Sequence, residues 1–164
     1  MHLSAIGAAL VLLGLDAHAQ ETELRVINNP DVIAAMITVW KQSANGTRGV
    51  EATFRLDGSP NSYTVTIEAF TNQSMRQKVS VLPGETFAVF HVHPHSAEPA
   101  PSQQDRDLAD KYGFRILTLH NRGLYEYDPA TKKTTMLRNG MTWIKPAPNQ
   151  SAGASPSYAR LKDQ

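Results

Sequence analysis

The segment "HVHPHSAEPAPSQQD" sets His91, His93 and His95 at alternate positions and follows them with Ser102 and Asp105. On an extended chain, residues two apart face the same side and lie about 6.6 Å apart along the strand, so His91 and His93 can reach one ion. Pro94 cannot donate to a continuing ladder and ends the strand where the histidines emerge. Asp105 falls in the first turn of a following helix, where the dipole keeps a carboxylate ionised. If the proline-rich connection folds back, Asp105 completes a set of two imidazoles and one carboxylate with a fourth position left for water. An open position separates a catalytic zinc from a structural one. Such an ion lowers the pKa of its water to about 7 and polarises a bound carbonyl.

Each piece has a plainer reading. A His-x-His pair on a strand is ordinarily solvent-facing or hydrogen-bonded, and Ser102 with Asp105 is ordinarily a helix cap with an acid three residues on. The combination is what points to a metal. His95, after a proline in a loop, is expected to face solvent, and His120, beside a turn, to be a polar strand-end residue. Tyr125 and Tyr127, at alternate positions, read as half-buried strand residues rather than as a binding groove.

Phe90-His91-Val92-His93-Pro94 followed by Ser102-Gln103-Gln104-Asp105 resembles the His-x-His-Pro and Ser-x-x-Asp signature of the JAMM metalloproteases. That family includes deubiquitinating isopeptidases and several bacterial branches. Arg48-Gly49-Val50-Glu51 resembles the segment that carries a glutamate on the first strand of the AMSH-type members. The likeness covers about residues 28 to 140 in element order, and its specific part is the motif and Glu51. It implies an α+β, MPN/JAB-like (cytidine-deaminase-like) fold, a central mixed β-sheet flanked by helices. It also implies that His91, His93 and Asp105 hold Zn²⁺, that Glu51 takes a proton from the attacking water and returns it to the leaving amine, and that Ser102 donates to the developing oxyanion. These roles match what amide hydrolysis needs. Read without the resemblance, Glu51 is an exposed strand residue. The chain departs from the family in two ways. The connection from His95 to Pro101 holds seven residues, one more than the commonest form, and the insertions with which eukaryotic isopeptidases grip ubiquitin are not found.

These residues need a frame. "NNPDVIAAMITVWKQSANG" predicts a helix, with Asn29 as cap, Pro30 in the first turn, Val32, Ile33, Met36, Ile37 and Trp40 at helical spacing, and Gly46 as stop. "RGVEATFRLDG" and "SYTVTIEAF" predict two strands around the turn at Asp57-Gly58-Ser59-Pro60, and "RQKVSVL" a weaker third. "TFAVFHVHP" is a nearly continuous apolar run of the kind buried on both faces. "SQQDRDLADKYG" predicts a helix capped by Ser102, with Leu108, Ala109 and Tyr112 on one side. "FRILTLHNRGLYEYDP" predicts two strands, and "KKTTMLRNGMTWI" one or two more.

The bulk numbers bound the rest. An apolar run from Ala5 to Leu15 followed by Ala17-His18-Ala19 predicts a signal peptide over residues 1 to 19, and the run is shorter than the roughly 20 residues that span a bilayer. The remaining chain carries 16 basic and 14 acidic groups, Asp16 being lost with the leader. A net charge of about +2 is no nucleic-acid footprint. No cysteine occurs, which excludes disulfides and sulfur-bound zinc and leaves a metal to His and carboxylate. Residues 20 to 145 are expected to form one metallopeptidase domain, and the Pro, Ala and Ser-rich residues 146 to 164 a disordered tail.

The expectation is therefore a periplasmic or secreted zinc peptidase or amidase that acts on a peptide or protein substrate, cell-wall peptide included, with neither nucleic acid nor stable membrane insertion. Two alternatives stand beside it: a non-catalytic binding module on the same fold, and a secreted effector or toxin that uses the same hydrolysis.

Overall fold

The computed structural model describes residues 25–73 and 78–144. The expected leader, residues 1 to 19, and tail, residues 146 to 164, lie outside them. The elements run α1 (Pro30–Gln42), β1 (Thr53–Ser59), β2 (Ser62–Ile67), β3 (Thr86–Val92), α2 (Gln103–Tyr112), β4 (Arg115–His120), β5 (Gly123–Asp128) and β6 (Lys133–Asn139). The six strands form one mixed sheet in the order β2-β1-β3-β4-β5-β6. Only the β3–β4 pair is parallel. A parallel pair needs a crossover, and α2 supplies it. The architecture is α+β.

Side chains alternate across the strands, so each face has its own core. Phe54, Leu56, Ala88, Phe90, Val92, Leu117 and Leu119 face α1, whose buried stripe is Val32, Ala35, Met36 and Val39. The stripe is rotated from the expected one: Ile37 and Trp40 are half-buried at its edge. The helix also stops at Gln42, short of Gly46, because Ser43 caps it, its hydroxyl donating to the Trp40 carbonyl at 2.8 Å. On the other face Val89, Ile116 and Tyr127 pack with Ala109 of α2 and with Phe114. Tyr112, expected on that buried side, is exposed.

The predicted third strand is not formed over its described part, Lys78 to Leu82. Two of its backbone N–H groups go to side chains instead of a ladder, Ser80 N–H to Glu68 Oε1 at 3.4 Å and Leu82 N–H to Thr86 Oγ1 at 3.0 Å. Val79 and Val81 still pack against the α2-side core, so the segment lies as an irregular wall beside the sheet. "KKTTMLRNGMTWI" contributes one strand, β6.

Candidate metal centre

Thr53, His91 and Thr118 are aligned across β1, β3 and β4 on the α2 side of the sheet, each the direct partner of the next. His91 is thereby flanked by two β-branched hydroxyl residues and lies 4 % exposed. β3 ends at Val92. His93 follows it, anchored by its own N–H to the Leu119 carbonyl at 2.9 Å, and 6 % exposed.

Asp105 arrives from the opposite direction. Ser102 is the N-cap of α2 and forms a reciprocal capping box: its hydroxyl oxygen accepts from Asp105 N–H at 3.2 Å, and Asp105 Oδ2 accepts from Ser102 N–H at 2.7 Å. Two orphan donors of the first helical turn are satisfied together. The box fixes the carboxylate over the end of β3. Asp105 Oδ2 stands 3.6 Å from His91 Nε2 and 3.6 Å from His93 Nε2, and the two ring nitrogens are 2.8 Å apart. One donor atom from each residue lies within 4.8 Å of the others.

The donor chemistry suits a divalent cation. Burial disfavours ionisation of Asp105, but the His91 and His93 rings and the Ser102 hydroxyl overcome it and hold the carboxyl well below the usual carboxylate range. Burial likewise lowers the basicity of His91. The Asp105 carboxylate outweighs it by charge and hydrogen bond, with Glu51 adding to the effect, and the ring ends up more basic than usual. His93 Nδ1 donates to the Glu98 carbonyl at 2.6 Å, which leaves the Nε2 lone pair directed at the triad. Two ligand atoms on one tetrahedral ion stand roughly 3.3 Å apart, from metal–ligand bonds of about 2.1 Å. The carboxylate is near that spacing from both rings, and the rings need to part by about half an ångström.

A cleft of about 820 Å³ opens in front of the triad. Glu51, Ser102, Lys78, Val79, Leu108 and Ile116 are among its lining residues. The five residues singled out in the sequence therefore share one cavity. Glu51 sits two residues ahead of β1 rather than within it, next to the isolated bridge at Val50, and is half-buried. The Ser102 hydroxyl donates to Asp105 Oδ2 at 2.6 Å, so its observed partner is the helix cap.

The remaining histidines stay out of the triad. His95 is exposed, as expected, although its ring lies 6.0 Å from that of Trp40 and its N–H bonds the Gly46 carbonyl at 2.9 Å. Gly46 has a φ of +77°, the left-handed conformation that favours glycine, and a Cβ there would come within 2.8 Å of the ring. His120 ends β4 as expected but is 1 % exposed, its Nδ1 accepting from Arg122 N–H at 3.1 Å. Tyr125 is half-buried; Tyr127 is buried and donates to Asp110 at 2.9 Å. Two participants escaped the sequence reading: the Glu98 carbonyl, a backbone group that no residue type announces, and Thr118, whose partner is 19 positions away.

No helix among the described residues is long and apolar enough to cross a membrane. Neither a protein-family model nor a curated protein sequence matches the chain.

Proposed function

We propose that the chain is an exported zinc-dependent peptidase or amidase of JAMM type, hydrolysing a peptide or isopeptide bond with water as the nucleophile. The observation that carries this reading is the convergence of His91, His93 and Asp105 within 4.8 Å at the wall of a cleft that also holds Glu51 and Ser102. An MPN/JAB-like fold fits the mixed sheet, with its single parallel pair joined through the helix that bears Asp105.

In this reading His91 and His93 bind through Nε2 and Asp105 through its carboxylate. A zinc ion held there supplies Lewis acidity toward water and the substrate carbonyl. Glu51 accepts the proton released by the attacking water and delivers it to the departing amine, so that no strongly basic leaving group is expelled. Ser102 gives up its bond to Asp105 and donates to the carbonyl oxygen as negative charge grows there. Leu108, Val79 and Ile116 exclude water along one side of the cleft and offer apolar contact to substrate side chains. No covalent enzyme intermediate is needed. A peptide, a target protein or a cell-wall peptide crosslink each satisfies this chemistry.

The test is elemental analysis together with hydrolysis of fluorogenic isopeptides and isolated cell-wall peptides. About one zinc per chain is expected. Glu51→Gln should keep the metal and lose turnover by a factor on the order of 10² to 10⁴. Purified protein that takes up no zinc would leave the same fold as a non-catalytic binding module, and turnover surviving Glu51→Gln would remove that residue from its role.

A further inference from the structure

The loop from His95 to Pro101 gives no side chain to the triad, yet two of its consecutive carbonyls are committed. Glu98 O accepts from His93 Nδ1 at 2.6 Å, and Pro99 O accepts from the Thr118 hydroxyl at 2.5 Å. Thr118 is 0 % exposed and is the direct β4 partner of His91 in the parallel pair. Peptide units are planar, and a proline ring locks the φ between the unit that precedes it and the one that follows. The Glu98 and Pro99 carbonyls therefore have one soft angle between them, the ψ of Pro99. With ψ the one free angle, holding the second carbonyl narrows the directions open to the first.

We propose that Thr118 is a positioning residue of the metal centre: through the Pro99 carbonyl it aims the Glu98 carbonyl at His93, and so fixes that ring with Nδ1 protonated and Nε2 offered to the ion. This deepens the metal-centre reading and rests on it. A neutral imidazole has one donor and one acceptor, and only the nitrogen without the proton binds a metal. Outer partners that fix this choice typically control affinity by 10-fold to 100-fold. The seven-residue connection from His95 to Pro101 makes such a tie useful, because a free loop of that length has many ways to place Glu98.

Valine keeps the β-branched shape that β4 favours and removes only the hydroxyl, while serine keeps the donor. The full chain and its Thr118→Val, Thr118→Ser and Pro99→Ala variants are compared in two measurements. One is zinc affinity by competition with a chromogenic chelator, and the other is the tautomer of His93 in metal-free protein, read from its ring ¹⁵N shifts. Thr118→Val should bind zinc about 10-fold to 100-fold more weakly and show His93 as a mixture of tautomers, and Thr118→Ser should restore both. Pro99→Ala, which frees the φ that the proline ring locks but keeps both acceptors, should shift the same two quantities in the same direction and serves alone if the valine variant does not fold. An unchanged His93 tautomer in Thr118→Val and Pro99→Ala, or in whichever of the two folds, overturns the proposal whatever zinc does. A wild-type chain that binds no zinc removes the metal reading, and the tautomer still decides the role of Thr118.

Discussion

Two polar clusters occupy the same side of the sheet and are desolvated to a similar degree. Around Arg55 every charge meets its opposite: Nε bonds the Asp57 carboxylate at 2.9 Å, Nη1 bonds Glu68, and the Thr86 hydroxyl donates to Asp57 at 2.7 Å. Those three charged side chains are 12 to 13 % exposed. Around His91 the exposures are 5 to 21 %, but two ring nitrogens face each other at 2.8 Å with a carboxylate 3.6 Å from both. Burying polar groups is costly unless the partners compensate, so the two clusters should answer differently to the same perturbation. The first is closed by its own guanidinium. The second is open, and an added cation would complete it.

The largest effect should come from supplying that cation. A ligand that binds only the folded state at 1,000 times its Kd adds about 4 kcal/mol, which for a domain of this size raises Tm by roughly 15 °C. Calorimetry with and without zinc should show this gain in the wild type and its loss in Asp105→Asn. Arg55→Met should do the reverse, lowering the metal-free stability by about 3 kcal/mol by stranding Asp57 and Glu68 while leaving the zinc gain intact. Equal zinc responses in the wild type and Asp105→Asn would mean that the two clusters do not differ in kind.

The open cluster was the more legible of the two, and the reason is physical. His91 and His93 announce themselves through the period of a strand and Pro94 through its missing donor. Ser102 and Asp105 follow the i, i+3 spacing of a capping box, and these are local rules with short reach. α1 was legible in its start at Asn29 and less so in its end, because Ser43 terminates the helix three residues before the glycine that looked like a stop. The closed cluster was invisible: Arg55, Glu68 and Thr86 span 31 positions and no pattern links them. The same network misled the strand reading of "RQKVSVL", since Glu68 and Thr86 capture backbone donors that a ladder would otherwise use. Glu51 became readable only through the family likeness.

Changing the pH should separate the clusters by a smaller amount. In the metal-free protein His91 is more basic than usual, so its contribution to stability is full below its ordinary pKa of 6.5 and is lost as pH rises through the raised value. Asp105 is more acidic than usual, so its contribution is present above its ordinary pKa of 3.8 and is lost as pH falls through the lowered value. The metal-free pair is therefore at its best between about pH 3.8 and 6.5. Zinc requires the unprotonated ring, so the zinc-induced gain should instead grow with pH, by up to about 1.4 kcal/mol per unit for each proton displaced. Thermal unfolding from pH 5 to 8 should thus show the metal-free and zinc-loaded curves diverging. Parallel curves would mean that zinc binds elsewhere.

The smallest effect concerns Thr53, which stands beside His91 in the open cluster and lines its cleft. Its hydroxyl is buried and makes no hydrogen bond among the described residues, whereas Thr118 on the other flank of His91 donates to Pro99. An unsatisfied buried hydroxyl costs about 1 to 3 kcal/mol, and replacing it by a methyl of the same shape removes that cost. Thr53→Val should therefore stabilise the metal-free protein by about 1 kcal/mol, a rise of roughly 4 °C in Tm. The same change at Thr118 should destabilise, because it orphans the Pro99 carbonyl. Opposite signs from one chemical substitution on the two sides of one histidine would show that the cluster is incomplete on its β1 side and tied on its β4 side. If Thr53→Val instead lowers Tm, that hydroxyl has a partner in solution, and the open cluster is more nearly closed on the Glu51 side of the cleft than its protein contacts indicate.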